Sequence, residues 1–145
     1  MKILLGVEQK PEWGNSDWDT LDVANHLEQN YDLFSTFANE KRQQIADHLS
    51  DGLEQAIARI IAGQAYKREL NNTVAVIGKD LRNWITTKEA EGALAPGKGK
   101  YPVPTQAALD GKSKKRKYPY AKGNRRPSFI DSGIFVGSIK SWIEE

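Results

Sequence analysis

The sequence predicts a mainly α fold, with α+β as the alternative, and two observations carry that reading. Two stretches, 32–63 and 69–91, repeat apolar residues every three or four positions, the spacing that lays one stripe along a helix. Beyond residue 95 that pattern stops, in chain that holds five of the six prolines. A Pro-dense segment sustains neither a long helix nor a central strand. At 145 residues, with 39% hydrophobic residues and a mean hydropathy of −0.63, the chain suits one domain with a modest core. The expected organisation is a helical body over 1–95, a basic Pro/Gly-rich extended arm over 96–126, and a C-terminal amphipathic docking segment over 127–145.

Taken in order, residues 2–8 (KILLGVE) form an apolar run before Pro11 and Gly14, which suits a short buried strand. A first helical turn competes, because periodicity does not separate the two at this length. From Ser16 or Asp17 onward the chain reads as helical, with Leu21, Ala24 and Leu27 or Glu28 sharing a face. Asp17, Asp19 and Asp22 suit a helix N-terminus. They lack the glycine and the distal Glu that a calcium loop requires at fixed spacing.

Over 32–63, Leu33, Phe34, Phe37 and Ala38 lead into Ile45, Leu49, Leu53, Ala56, Ile57, Ile60 and Ile61, read as one long helix with a buried stripe. Gly52 weakens its middle by about 1 kcal/mol relative to Ala and marks the place for a bend, while Gly63 suits the C-cap. The second helix runs from about Glu69 to Glu91, with Leu70, Val74, Ile77, Leu81, Trp84 and Ile85 on its stripe and Gly92 closing it. Two such helices joined by a short loop most simply pack as an antiparallel hairpin.

Charge is unevenly placed. Residues 96–126 carry ten Lys or Arg against one acid, Asp110, whereas residues 1–95 carry ten bases against fifteen acids. Lys112, Lys114, Lys115, Arg116, Lys117 and Lys122 form the densest part of the arm, interleaved with Tyr118 and Tyr120. Cations neutralise phosphates and tyrosines stack on bases, so one reading is non-specific DNA contact. The other is docking on an acidic protein surface, including the body of a second copy. The Tyr101-Pro-Val-Pro-Thr run is expected to be extended.

Residues 125–142 (RRPSFIDSGIFVGSIKSW) pair two arginines with a turn at Asp131-Ser132-Gly133 and an amphipathic segment. Ser132 suits an N-cap, and Ile134, Phe135, Ile139, Trp142 and Ile143 fall on one side of a short helix. Arg125, Arg126, Phe129, Ile134, Phe135, Ile139 and Trp142 are therefore the candidate interface residues, since aromatic and Arg side chains dominate binding energy at interfaces. The segment and the arm are expected to take a fixed shape only against another molecule.

Catalytic chemistry is poorly represented. Cysteine is absent, and the two histidines, His26 and His48, lie in different helices without metal-ligand spacing. Asp131, Ser132 and Ser138 have no histidine near them in sequence and no nucleophile-elbow pattern, and GKGK at 97–100 is not a phosphate-binding loop. No catalytic residue, metal or cofactor is expected. The N-terminal apolar run meets Glu8 and Lys10 too soon for a signal peptide, no run reaches the roughly 20 apolar residues that span a bilayer, and no membrane is expected.

The string Arg126-Pro-Ser-Phe-Ile-Asp-Ser-Gly-Ile-Phe135, with Ser138-Ile139 behind it, resembles the P-x-D-T-G-x-L-x-x-S-I signature of small virion proteins of tailed bacteriophages. These are the neck, head–tail joining and tail-completion proteins. Ser132 stands where that signature has Thr. In the family a long amphipathic helix precedes the signature, as 32–63 does here. The resemblance implies a non-catalytic structural protein in an oligomeric ring, in a connector, tail-completion or tail-terminator role. It implies a homo-oligomer touching portal, adaptor or tail-tube proteins, localised in the virion and assembled in the host cytoplasm. A small nucleic-acid-binding protein using 112–126 is the alternative.

Overall fold

A computed structural model describes residues 2–12, 17–94, 102–110, 125–130 and 133–144. The fold is mainly helical. Strand β1 (Lys2–Val7) leads into α1 (Thr20–Tyr31), α2 (Leu33–Glu40), α3 (Arg42–Ile61), α4 (Lys67–Thr86) and the short α5 (Glu89–Ala93). A single turn, α6 (Gln106–Leu109), precedes α7 (Ile134–Ser138) and β2 (Ile139–Glu144). The two strands pair antiparallel, with Lys2 opposite Glu144 and Val7 opposite Ile139.

Helix α4 is the element on which the others pack. Its residues Val74, Ile77, Gly78, Leu81, Trp84 and Ile85 are all buried. One side meets α3 in the expected antiparallel hairpin, where Gln44 and His48 bond Asp80 at 2.9 and 3.0 Å and Arg59 bonds Glu69 at 2.6 Å. The other side carries β2. Gly78 lets the strand approach: its N–H donates to Ser141 Oγ at 3.0 Å, and a Cβ there would sit 3.1 Å from the Ser141 nitrogen. Ser141 Oγ donates in turn to the Val74 carbonyl, and Arg82 donates to the Ile139 carbonyl at 2.8 Å. Leu27, Leu33, Phe37, Leu81, Trp84, Ile85, Phe135 and Ile139 belong to one core, with Phe37 and Trp84 edge to face at 5.5 Å.

Local sequence explains the helix ends. Asp19 caps α1, accepting from the Leu21 and Asp22 amides, while Asp22 reaches back to the Asp19 amide; this reciprocal box satisfies donors that a helix start leaves open. Thr20, fully buried, bonds both the Glu8 carbonyl at 2.7 Å and the Lys10 amide at 2.9 Å, tying α1 to the end of β1. Glu28 accepts from the Phe34 amide at 2.7 Å and so helps to cap α2. Gly63, at φ 68°, turns the chain after α3, the left-handed position that favours glycine.

Several expectations are corrected. Residues 32–63 are two helices, and the break falls at Lys41, not at Gly52. No apolar side chain lies between Ala38 and Ile45 to hold one axis, and Lys41 turns out to bond Glu89 at 2.8 Å. Gly52 is instead a contact point, buried where an added Cβ would overlap Thr73. The second predicted helix is also broken, after Thr86. The hydroxyls of Thr86 and Thr87 both donate to the Asn83 carbonyl, competing with the helical ladder, and Lys88 then adopts φ 70°. The C-terminal segment is one helical turn followed by a strand, because β1 offers Ile139–Glu144 a partner that periodicity does not reveal. Its N-cap is Gly133; Ser132 lies outside the described residues.

A candidate assembly surface

The candidate interface residues fall into three environments. Arg125 is held by the body of its own chain: its guanidinium forms a two-pronged contact with Glu91, one prong at 2.7 Å. The Ser128 amide donates to the same carboxylate at 2.7 Å. The two side chains are only 14% and 9% exposed. Burial alone would raise the Glu91 carboxyl, but bonds from Arg125 and Ser128 outweigh it and hold its pKa below 4.5. Arg126 is exposed. The clamp therefore fixes where the chain re-enters the body after the arm.

Phe129, at φ 66°, meets Tyr31 edge to face at 5.4 Å, and Ile134 is half-buried. Phe135 and Ile139 are core residues of this chain, 4% and 0% exposed. Ser138 is equally buried, its hydroxyl donating to the Phe135 carbonyl at 2.6 Å. Thus the apolar tail is sheltered by its own fold, and the expectation that it orders only on another molecule is corrected for residues 133–144. Trp142, 44% exposed, remains at the surface with its ring across Gly6. The basic residues Lys112, Lys114, Lys115, Arg116, Lys117 and Lys122 lie outside the described residues.

The surface that the structure leaves uncovered is elsewhere. Every residue from Ile57 to Arg68 is exposed, so the α3–α4 hairpin projects beyond the core. Along the outer side of α3, Leu53, Ile57, Ile60 and Ile61 are 45%, 55%, 54% and 82% exposed. The periodicity of the sequence places these four in a buried stripe; α3 in fact fully buries only Gly52 and Ala56. The spacing 53, 57, 60 and 61 places them along one flank of the helix. The signal that separates a buried stripe from an exposed one is the small size of the buried positions Gly52 and Ala56, the first of which lets Thr73 of α4 approach closely.

Among the described residues, no three His, Asp or Glu side chains gather as metal ligands, and no helix is long and apolar enough to cross a membrane. Asp19 and Asp22 serve as helix-capping groups, and His48 joins α3 to α4 through Asp80. Comparisons with protein-family models, with curated proteins and with solved structures found no match.

Proposed function

We propose that this chain is a non-catalytic structural protein of a tailed-bacteriophage virion, acting as an oligomeric ring component at the neck or tail end. The observation that supports it is the row of large apolar side chains on α3, set on a hairpin that stands clear of the core. Contiguous apolar surface of this kind marks contact with other proteins more often than idle surface. The signature-like run from Arg126 to Ile139 adds the virion context. In this reading the Arg125–Glu91 clamp and the buried tail are scaffolding, and the contacts to partners come from the hairpin, Trp142 and the basic arm.

Co-assembly tests the reading. Mixed with portal, adaptor or tail-tube proteins of a phage whose genome encodes it, the chain should co-sediment as a defined complex. A chain that enters no particle with any virion component would overturn it.

The ten-to-one excess of cations over acids in 96–126 favours one second reading, nucleic-acid binding through 112–126. Phosphate binding weakens steeply with salt, with a slope near −0.9 per neutralised phosphate on duplex DNA. Deleting 112–124, which spares the Arg125–Glu91 clamp, should abolish DNA retention under that reading and leave the fold intact.

A further inference from the structure

We infer that the exposed stripe on α3 is covered by the same stripe of a second copy, the two α3 helices lying antiparallel about a two-fold axis near Ile57. The inference rests on the stripe and the charges around it, and it stands whether or not the virion reading holds.

The stripe is symmetric about its middle. Leu53 lies four residues before Ile57 and Ile61 four after it, so an antiparallel partner sets Leu53 of one copy beside Ile61 of the other, with Ile57 facing Ile57. Charge along the hairpin has the matching polarity. Before the middle stand Asp47, Asp51 and Glu54, with no base from 47 to 54; after it stand Arg59, Lys67 and Arg68, with no acid from 59 to 68. All six are exposed. Arg59 also bonds Glu69 within the hairpin, and Lys67 and Arg68 stand beside it at the tip. A parallel pairing would set acid against acid and tip against tip. The antiparallel one sets the acidic flank of each copy against the basic tip of the other, and opposed patches of this kind fix register.

An isologous contact closes on itself and stops at two copies. Confined to one hairpin face, it lies at the small end of protein interfaces, below about 1,200 Å² in total. The pair should therefore dissociate on dilution, with a Kd on the order of micromolar.

Sedimentation equilibrium of the purified full chain reads this directly. A reversible monomer–dimer system is expected, weakened at least tenfold by Ile57→Asp, with the circular dichroism spectrum unchanged because Ile57 is already 55% exposed. A chain that stays monomeric at several hundred micromolar, or that self-associates as well with Ile57→Asp, would overturn the inference. Orientation has its own readout, since the chain has no cysteine of its own. Leu53→Cys and Ile61→Cys chains, mixed and oxidised, should give the mixed disulfide. Leu53→Cys alone should not link to itself, because its two copies would lie about 12 Å apart along the axis; a rapid homodisulfide there would refute the antiparallel arrangement. Charge gives a third test. A chain with Asp47→Lys and Glu54→Lys should pair poorly with itself, as should one with Lys67→Glu and Arg68→Glu. The two together should form a heterodimer, and absence of that rescue would count against the two-fold contact.

Discussion

Helices α3 and α4 are each 20 residues long and lie side by side, yet they relate to the core in opposite ways. Six positions of α4 are buried on a surface shared with β2, α5 and the body of the molecule. Only Gly52 and Ala56 are fully buried on α3, Gly52 against Thr73 of α4. Apolar periodicity is present in each. The difference teaches that a stripe states which residues avoid water together, and says nothing of whether the cover comes from the same chain. The contact residues decide it: Ile45 and Leu49 near the start of α3 pack half-buried on the core and Gly52 allows a tight crossing with α4, while Leu53, Ile57, Ile60 and Ile61 stay exposed.

The sharpest way to break the comparison is to truncate each stripe in turn. Leu81, fully buried in the middle of α4, should cost about 3–4 kcal/mol of unfolding free energy as Leu81→Ala, from lost burial and the cavity left behind. Urea unfolding with an unchanged m-value would measure it. A cost under about 1 kcal/mol would mean that α4 is not the organising element.

The clamp between the body and the returning chain comes next. Glu91→Gln removes the charge facing a guanidinium that is only 14% exposed, and about 2 kcal/mol of destabilisation is expected at neutral pH, below the loss for a fully buried pair. The sign with pH follows from the depressed carboxyl. Its contribution is complete above the ordinary value of 4.5 and is lost as pH falls through the lower folded-state value. Wild type should therefore lose its advantage over Glu91→Gln below pH 4.5, the two curves converging in acid. Parallel curves down to pH 2 would show that Glu91 is not ionised against Arg125.

Gly78→Ala probes the other side of α4. Its Cβ would press on Ser141, an overpacking cost of about 2 kcal/mol, while alanine returns about 1 kcal/mol of helix propensity. A net loss near 1 kcal/mol is expected, with β2 losing amide-exchange protection first. The same test bears on what was legible in the sequence. The α4 stripe and the hairpin followed from spacing and turn residues alone, whereas the apolar run of β1 fitted a strand or a helical turn until β2 supplied its partner. The Thr86-Thr87 break and the Lys41 break did not, because each depends on a competitor or a distant partner, Asn83 in one case and Glu89 in the other. Nor did β2: Ile139, Trp142 and Ile143 fit one side of a helical wheel, and the partner that makes them a strand is far off in the chain, Val7 opposite Ile139 and Leu4 opposite Trp142. The clamp was half legible, since Arg125 was singled out but its acid lies in a different segment.

The smallest effect should be the most informative. Ile57→Ser on α3 removes as many apolar carbons as a core substitution would, but from a side chain 55% exposed in the single chain. In dilute protein its unfolding free energy should move by no more than about 0.5 kcal/mol, and helix content should hold. Raised to concentrations at which copies pair, the wild type should gain thermal stability with concentration, because a partner that binds only the folded chain stabilises it by mass action. Ile57→Ser should lose that dependence while keeping the dilute midpoint. A substitution that destabilises the isolated chain as much as Leu81→Ala would place the α3 stripe in the core after all and erase the contrast between the two helices. Silence in dilute solution, together with lost concentration dependence, would make α3 an amphipathic helix whose apolar side is completed by another molecule.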